Sequence, residues 1–256
     1  INPDLEIIRF LTENTSFRHS PRYAGSIEYQ DNDGTSIVLG LLQEKVDNQG
    51  DAWVMIMERM SEYYDAVLAL STDVKFPPLI EKVAIRYDET PELIQRLISR
   101  NFHDLIVRLG QRTAEMHKAL ASGTSDAAFS PELITHHYQR SLYSSLRKLL
   151  RDRFSMLEDA LPGLDAQTRS MANEVLSFSQ PILDSFAEMY QTRISAIKTR
   201  IHGDYHLGQV LFTGGDFVII DFEGEPAFSF TERRLKKSPM KDVAGMMRSF
   251  HYAAYG

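Results

Sequence analysis

The stretch Ile201-His202-Gly203-Asp204-Tyr205-His206-Leu207-Gly208-Gln209, followed by Phe217-Val218-Ile219-Ile220-Asp221-Phe222-Glu223, constrains this chain more than any other feature. It sets one aspartate in a tight polar loop and a second at the end of an apolar, strand-like run, with a short hairpin between them. Such a layout suits a site that holds a nucleotide's phosphates through metal ions. Phosphoryl transfer asks the protein for little covalent chemistry: a carboxylate to orient or deprotonate the attacking hydroxyl, and ligands for the ions that bridge the phosphates. Asp204 suits the first task and Asp221 the second. Gln209 offers a neutral oxygen to the same ion, and Mg²⁺, which keeps several waters, needs no more than one carboxylate, one amide and phosphate. Glu223, two residues past Asp221 in an extended segment, falls on the same side and can assist a second ion. Two other readings stay open on these residues alone. His-x-Asp-x-His is also the pattern of a polar turn with a capping aspartate. It is equally a spacing at which His202, Asp204 and His206 can share zinc or another transition metal, although Leu207-Gly208-Gln209 and Asp221 have no task in such a site.

Around this region the pattern is mostly helical. Asn2 as cap, Pro3 and early acids predict a helix over residues 1–15. Apolar runs at Arg22–Gln30 and Thr35–Val46 flank Asp31-Asn32-Asp33-Gly34, a hairpin signal. Asp51 caps a helix reaching Leu70. Pro91-Glu92 opens a helix to Ala121, Pro131-Glu132 another to Leu161, where Pro162-Gly163 stops it. Residues 166–196 read as one helix bent at Pro181. Ser71–Pro78 is a loop. Gln209–Phe212 and Phe217–Asp221 form a second hairpin, and Met240–Ala254 a final helix. Strands and helices are segregated along the chain, which gives an α+β class with two lobes.

The net charge of -7 argues against a nucleic-acid binder. The chain has no cysteine, which excludes disulfides and thiolate metal sites and agrees with a cytoplasmic setting. No apolar run approaches the roughly 20 residues that a membrane-spanning helix needs.

His202-Gly203-Asp204 with Gln209, then Ile220-Asp221-Phe222-Glu223, resembles the aminoglycoside-phosphotransferase-like branch of the protein-kinase-like fold. Most members of that branch carry Asn where this chain has Gln209. The Gln is usual in the maltokinase group, including maltokinase domains fused to trehalose synthase. That group is similar to this chain in three blocks: Asn48-Gln49-Gly50-Asp51-Ala52-Trp53, the segment 202–209, and Ile220-Asp221-Phe222-Glu223-Gly224-Glu225-Pro226 with its continuation through Glu232-Arg233-Arg234 and Ser238–Phe250.

The resemblance implies a bilobal kinase-like fold, with a truncated N-lobe over residues 1–46, a hinge at 43–50 and a mainly helical C-lobe over 47–256. It implies ATP-dependent phosphorylation of maltose to maltose 1-phosphate, with ATP as co-substrate, Mg²⁺ as cofactor and a fused or associated trehalose synthase as partner. Asp204 would be the catalytic base, and Gln209 and Asp221, with Glu223, the metal ligands. Gln43, Glu44, Lys45 and Val46 would pair with adenine, and Glu6 would match the glutamate that pairs with a phosphate-binding lysine. His202, His206, Glu225, Arg248 and Asp242 would face the sugar. The phosphate loop and its lysine have no counterpart here, nor do the group's last helices, so the chain reads as a fragment with little ATP-dependent activity of its own.

Several residues keep a plainer reading. Asp242 reads first as the N-cap of the final helix and second as a brace for the 202–209 loop. Arg248 and His251, at i and i+3, face either sugar or solvent. Glu232 to Lys237 is a charged run of the kind that is usually solvated, and Trp53 reads as core packing. Two rivals remain: another sugar or aminoglycoside kinase of the same fold, and a non-catalytic domain that binds α-glucan or packs on trehalose synthase. A non-catalytic domain has no need of Asp204, Gln209 and Asp221 together.

Overall fold

The computed structural model describes residues 2–32, 36–70, 74–75, 85–123 and 126–255. The chain divides into two compact units, Ile1–Pro131 with Thr199–Gly256, and Glu132–Lys198.

The first unit opens with α1 (Pro3–Asn14), started by the Asn2 side chain, which accepts from the Asp4 and Leu5 amides. Strands β1 (Tyr23–Gln30) and β2 (Ser36–Gln43) pair antiparallel, with Tyr29 opposite Ile37. Asp33 and Gly34 of the hairpin signal between them, and Thr35 at the start of the second apolar run, lie outside the described residues, as does most of the expected loop at 71–78. Helix α2 (Ala52–Leu68) is capped by Asp51, which accepts from the Val54 amide. The helix expected over 91–121 is two helices, α3 (Glu92–Ile98) and α4 (Arg100–Leu120). Ser99 separates them with φ 62°, a left-handed backbone, and its hydroxyl accepts from the Phe102 amide, so one residue both ends α3 and caps α4.

The second unit corrects two more expectations. Pro131-Glu132 opens no helix. Glu132–Leu133 is a short strand, β3, and α5 (His136–Ala160) starts four residues on, capped by Thr135. The span 166–196 is α6 (Ala166–Ser177), a break at Phe178, then α7 (Ser179–Gln191) and strand β4 (Ile197–Lys198). Pro181 lies in the first turn of α7, where its missing N–H costs no helical bond. β3 pairs antiparallel with β4, a nonlocal contact that local pattern cannot reveal.

The chain re-enters the first unit at Thr199. Strands β5 (Val210–Phe212) and β6 (Phe217–Ile219) form the second hairpin in the register Val210–Ile219, Leu211–Val218 and Phe212–Phe217. A short turn, α8 (Phe230–Arg233), carries a capping box between Ser229 and Glu232, and α9 (Met240–Tyr255) closes the chain. The core of this unit joins α1, α2, α4, α9 and the hairpin. Leu207, Val210, Phe217, Ile219 and Phe222 are all 0% exposed. At about 1.5–3 kcal/mol per buried side chain of this size, these five residues anchor the polar loop between them.

An ion-pair triad built on the buried Arg200 ties α1 to the chain on either side of the 201–209 loop. Arg200, 1% exposed, donates to Glu6 at 2.7 Å, and Arg234 grips the same carboxylate at 2.8 and 2.9 Å. Glu6 is the only side-chain hydrogen-bond partner of Arg200 among the described residues. Glu6 therefore sits with these two arginines and not beside a lysine. Burial alone pushes its carboxyl up, but the Arg234 and Arg200 guanidiniums outweigh it and hold the group below its usual value. The stability this supplies is fully present above the ordinary glutamate range and is lost as pH falls through the lowered folded-state value. Glu6→Gln leaves a buried guanidinium uncompensated, and the expected loss is about 3–5 kcal/mol in denaturant unfolding. An unchanged midpoint would show that the triad does not stabilise the fold.

Candidate functional site

The loop at 201–209 alternates between core and cleft. Ile201, Tyr205 and Leu207 are buried, while Gly203, Asp204 and His206 line an open cleft of about 530 Å³ with Trp53, Glu225, Lys241, Arg248 and Tyr252. Tyr205 is held by Thr113 at 2.8 Å, and the Leu207 amide donates to Ser249 at 3.1 Å. The apolar residues fix the loop, while Asp204 and His206 are left to face the cleft.

Asp242 braces this loop instead of capping its helix. It lies within the first turn of α9 and is 1% exposed. Its carboxylate accepts from the His202 and Gly203 amides, each at 2.9 Å, and pairs with His117 Nε2 at 2.8 Å. Burial pushes the Asp242 carboxyl up, but the His117 hydrogen bond, helped by the Gly203 amide, outweighs that and holds it below the usual carboxylate value. The carboxylate is therefore ionised at neutral pH, and His117 Nε2 carries the proton. Lys241 donates to the Gly203 carbonyl at 2.6 Å. Gly245 lets α9 come this close, because a Cβ there would stand 2.7 Å from the Tyr205 carbonyl oxygen.

His202 is spent on structure. Its Nε2 donates to the Ile220 carbonyl at 2.9 Å, and its Nδ1 faces the Asp204 amide at 3.4 Å. Burial lowers the imidazole below its ordinary value against the upward pull of Asp242, Asp221 and Asp204, so the ring is neutral. That ring thus stands within electrostatic reach of both aspartates. His206 Nδ1 accepts from the Gly208 amide at 3.1 Å. With both imidazoles engaged in this way, and no group of three or more His, Cys, Asp or Glu poised to hold a metal among the described residues, the zinc-type reading of His202, Asp204 and His206 finds no support.

Past β6 the chain turns sharply at Asp221, which has φ 61°. A non-glycine residue in this region carries strain, a feature that concentrates at functional sites. Gln209 Nε2 donates to Asp221 Oδ2 at 2.8 Å, which brings these two predicted ligands together. Glu223 is exposed, with its amide 3.4 Å from Asp221 Oδ1. Gly203, at φ 91°, lies against Gly224, at φ 75°, and a Cβ on Gly203 would stand 3.3 Å from the Gly224 Cα. This backbone contact sets the segment carrying Glu225 beside the loop. Arg233 holds that segment by donating to the Phe228 and Pro226 carbonyls at 2.8 and 2.9 Å.

Asp4 is an acid at this site that the sequence reading passed over. Its Oδ1 accepts from the Phe222 amide at 2.9 Å, and Gln43 reaches its other oxygen at 3.5 Å. Burial, followed by the nearby Asp221 and Glu223 charges, pushes its carboxyl up to about 6 despite the Phe222 bond. In sequence it is one of two first-turn acids on α1, and nothing local separates it from Glu6.

Of the predicted adenine segment, the Glu44 amide is bonded to the Arg22 carbonyl, the Val46 carbonyl accepts from the Asn48 side chain, and Lys45 makes an exposed pair with Asp47. The following residues zip onto the second hairpin, with Gln49 and Gly50 bonded to Phe212 at 2.8 and 2.9 Å. Of the predicted sugar-facing residues, His206, Glu225, Arg248 and Asp242 line the cleft and His202 does not. Trp53 packs partly on the core and also lines the cleft. His251 lies tilted against Tyr255 and does not line the cleft. A larger cavity of about 690 Å³ opens at residues 14–19 and 112–122. Arg112 there is tied to Asp216 and Glu115, and none of the residues singled out for chemistry line that cavity.

No protein-family model matches the chain. It is 24% identical over 145 residues to a glucosamine kinase of Streptacidiphilus jiangxiensis, a match covering 57% of this chain and 29% of that protein. It is 48% identical over 54 residues to a glucosamine kinase of Mycolicibacterium smegmatis, covering 21% of this chain and 13% of that one. A solved glucosamine kinase in complex with glucosamine, ADP and inorganic phosphate superposes with TM-score 0.68 at 19% identity, over 97% of this chain and 50% of that structure. A second crystal form gives TM-score 0.67 at 19% identity, over 97% of this chain and 48% of that structure. The helix-rich fold with small sheets is shared with these enzymes. The chain spans about half the length of the solved structures it matches.

Proposed function

We propose that this chain carries the catalytic and metal-binding side of an ATP-dependent sugar kinase. The observation that carries the reading is the meeting of Gln209 with Asp221 at 2.8 Å, in a structure whose Asp204 lines an open cleft. Asp204 orients the acceptor hydroxyl and accepts its proton. Gln209 and Asp221 hold Mg²⁺, and the donor set suits it, since one carboxylate and one amide oxygen suffice when phosphate and water complete the shell. Mg²⁺ would supply charge neutralisation at the nucleotide phosphates. Glu223, exposed beside Asp221, would assist a second ion, and residues 43–46 would meet adenine at a hinge between an N-lobe of residues 1–46 and the rest.

For the acceptor, glucosamine is favoured by the names of the relatives and of the matching structures. The cleft adds a physical reason, because the Glu225 carboxylate has no hydrogen-bond or ion-pair partner among the described residues and would meet an ammonium group. Maltose is the acceptor that the three sequence blocks imply, and the trehalose synthase partner belongs to that reading alone. ADP release by the complete polypeptide carrying this chain, tested with glucosamine, maltose, glucose and an aminoglycoside, separates these acceptors. Turnover is expected with glucosamine first. Stimulation by the aminoglycoside alone would move the acceptor class, and stimulation by none of the four would overturn the kinase reading.

A further inference from the structure

Lys241 is a cation of the cleft that the kinase reading leaves without a chemical task. It lines the same opening as Asp204, and its ammonium donates to the Gly203 carbonyl at 2.6 Å, one peptide bond from Asp204. We propose that Lys241 is a catalytic residue, whose ammonium holds the phosphoryl group as it passes from the nucleotide to the acceptor hydroxyl beside Asp204. This rests on the kinase reading and adds to it a side chain that meets the transferred group.

A lysine ammonium has three N–H donors and no acceptor. Gly203 takes one of them, and no carboxylate pairs with Lys241 among the described residues. Glu225 shares the cleft without forming such a pair. Asp242, the next residue, is engaged by the His202 and Gly203 amides and by His117. A second cation stands close. Burial, followed by the charge of Lys241, holds the Lys237 ammonium below its usual value against the weaker pull of Glu232 and Asp242. Lys237 lies over the Phe228 ring, 4.8 Å from its centroid. The other cation lining the cleft, Arg248, is turned onto Tyr252, with its guanidinium 4.7 Å from that ring and a donor on the Tyr252 hydroxyl. Two ammonium groups held near each other repel, and an anion relieves the repulsion. An acceptor sugar brings no negative charge, so the anion that meets Lys241 is the phosphoryl group. Transfer breaks the bond from the γ-phosphorus to the oxygen it shares with ADP and forms one to the sugar oxygen. The hydroxyl proton goes to Asp204, and ADP leaves. Lys241 gives up no proton. It offsets the charge spread over the phosphoryl oxygens in the transition state, where a fixed donor counts most.

The test uses two variants of the complete polypeptide. Lys241→Gln keeps an N–H for the Gly203 carbonyl and removes the charge, and Lys241→Arg keeps the charge. In Lys241→Gln, kcat for the preferred sugar is expected to fall about 10²- to 10³-fold, as on loss of one preorganised donor to a developing anion. KM for the sugar is expected to stay within about three-fold, because the lost contact forms only during transfer. Lys241→Arg is expected to recover turnover to within about 10-fold of wild type, its fork replacing a point charge. The second readout is the complex of ADP, aluminium fluoride, Mg²⁺ and sugar, in which the fluoride takes the place of the phosphoryl group. Its affinity is expected to fall at least about 10-fold in Lys241→Gln, while ADP alone binds within about two-fold of wild type. Wild-type kcat in Lys241→Gln overturns the proposal, and so does a Lys241→Arg no better than Lys241→Gln. A fall in kcat with the fluoride complex unaffected also overturns it, because the lysine then acts only through the Gly203 carbonyl. An equal loss of affinity for ADP alone assigns Lys241 to general nucleotide binding and overturns it too. If the wild type transfers phosphate to no sugar, the kinase reading itself fails, whereas wild-type turnover with an unaffected Lys241→Gln sinks the Lys241 proposal alone.

Discussion

Asp204→Asn is expected to lower kcat by about 10²- to 10⁴-fold, the range that a positioned general base supplies, while nucleotide binding survives. The substitution is nearly isosteric and removes the charge alone. The network that shapes the loop runs through the His202 and Gly203 amides, Asp242, His117 and Lys241, and the Asp204 carboxylate takes no part in it. The loop should therefore keep its form, and the loss should appear in the chemical step. On the proposed reading the nucleotide side falls to Gln209 and Asp221, which the change leaves alone, so titration calorimetry with Mg²⁺ and ATP should give a near wild-type affinity. A near-normal kcat would rule out the base assignment. A joint loss of turnover and nucleotide affinity would make Asp204 part of the nucleotide site instead.

Asp221→Ala is expected to abolish the Mg²⁺-dependent part of ATP binding. Losing a charged ligand should exceed the ~10–100-fold that losing a partner outside the ligand shell costs. The position adds a complication that the backbone makes visible. Asp221 lies at φ 61°, which Asp and Asn tolerate better than Ala. Asp221→Asn therefore serves as the companion, since it keeps the turn and the contact with Gln209 and removes the charge. Both variants should bind ATP equally with and without Mg²⁺ in calorimetry. If Asp221→Asn retains the full Mg²⁺ effect, the ion is held elsewhere and Asp221 is a turn residue.

Legibility in the sequence follows how local each cause is. Asn2 with Pro3 starts α1, and Asp51 starts α2, because a cap and its amide partners lie within three residues of each other. The second hairpin was equally legible, with polar Thr213-Gly214-Gly215-Asp216 between two apolar runs. Pro131-Glu132 misled because the signal for a helix start was present, yet pairing of Glu132 with Lys198 took the residues into a strand. Ser99 breaks a periodic run of apolar residues by its backbone conformation, which periodicity does not encode. Asp204, Gln209, Asp221 and Glu225 stand out as candidates in the sequence because they cluster in one segment. The contacts that fix the surrounding backbone are not legible there. His117 reaches Asp242, Asp4 reaches Phe222, and Arg200 reaches Glu6 across 125, 218 and 194 residues of chain. Glu6 shows the limit most directly. It was expected beside a lysine, and its two arginine partners lie in parts of the chain that only folding brings together.

The account turns on transfer of the ATP γ-phosphate to a sugar hydroxyl with Asp204 as base. ³¹P NMR of the complete polypeptide with ATP, Mg²⁺ and glucosamine, followed by maltose, reads that transfer directly. The account predicts a new sugar-phosphate resonance that grows as ADP forms, requires Mg²⁺ and nearly vanishes in Asp204→Asn. It would be contradicted if neither sugar gave a phosphomonoester signal, or if Asp204→Asn formed the product at the wild-type rate.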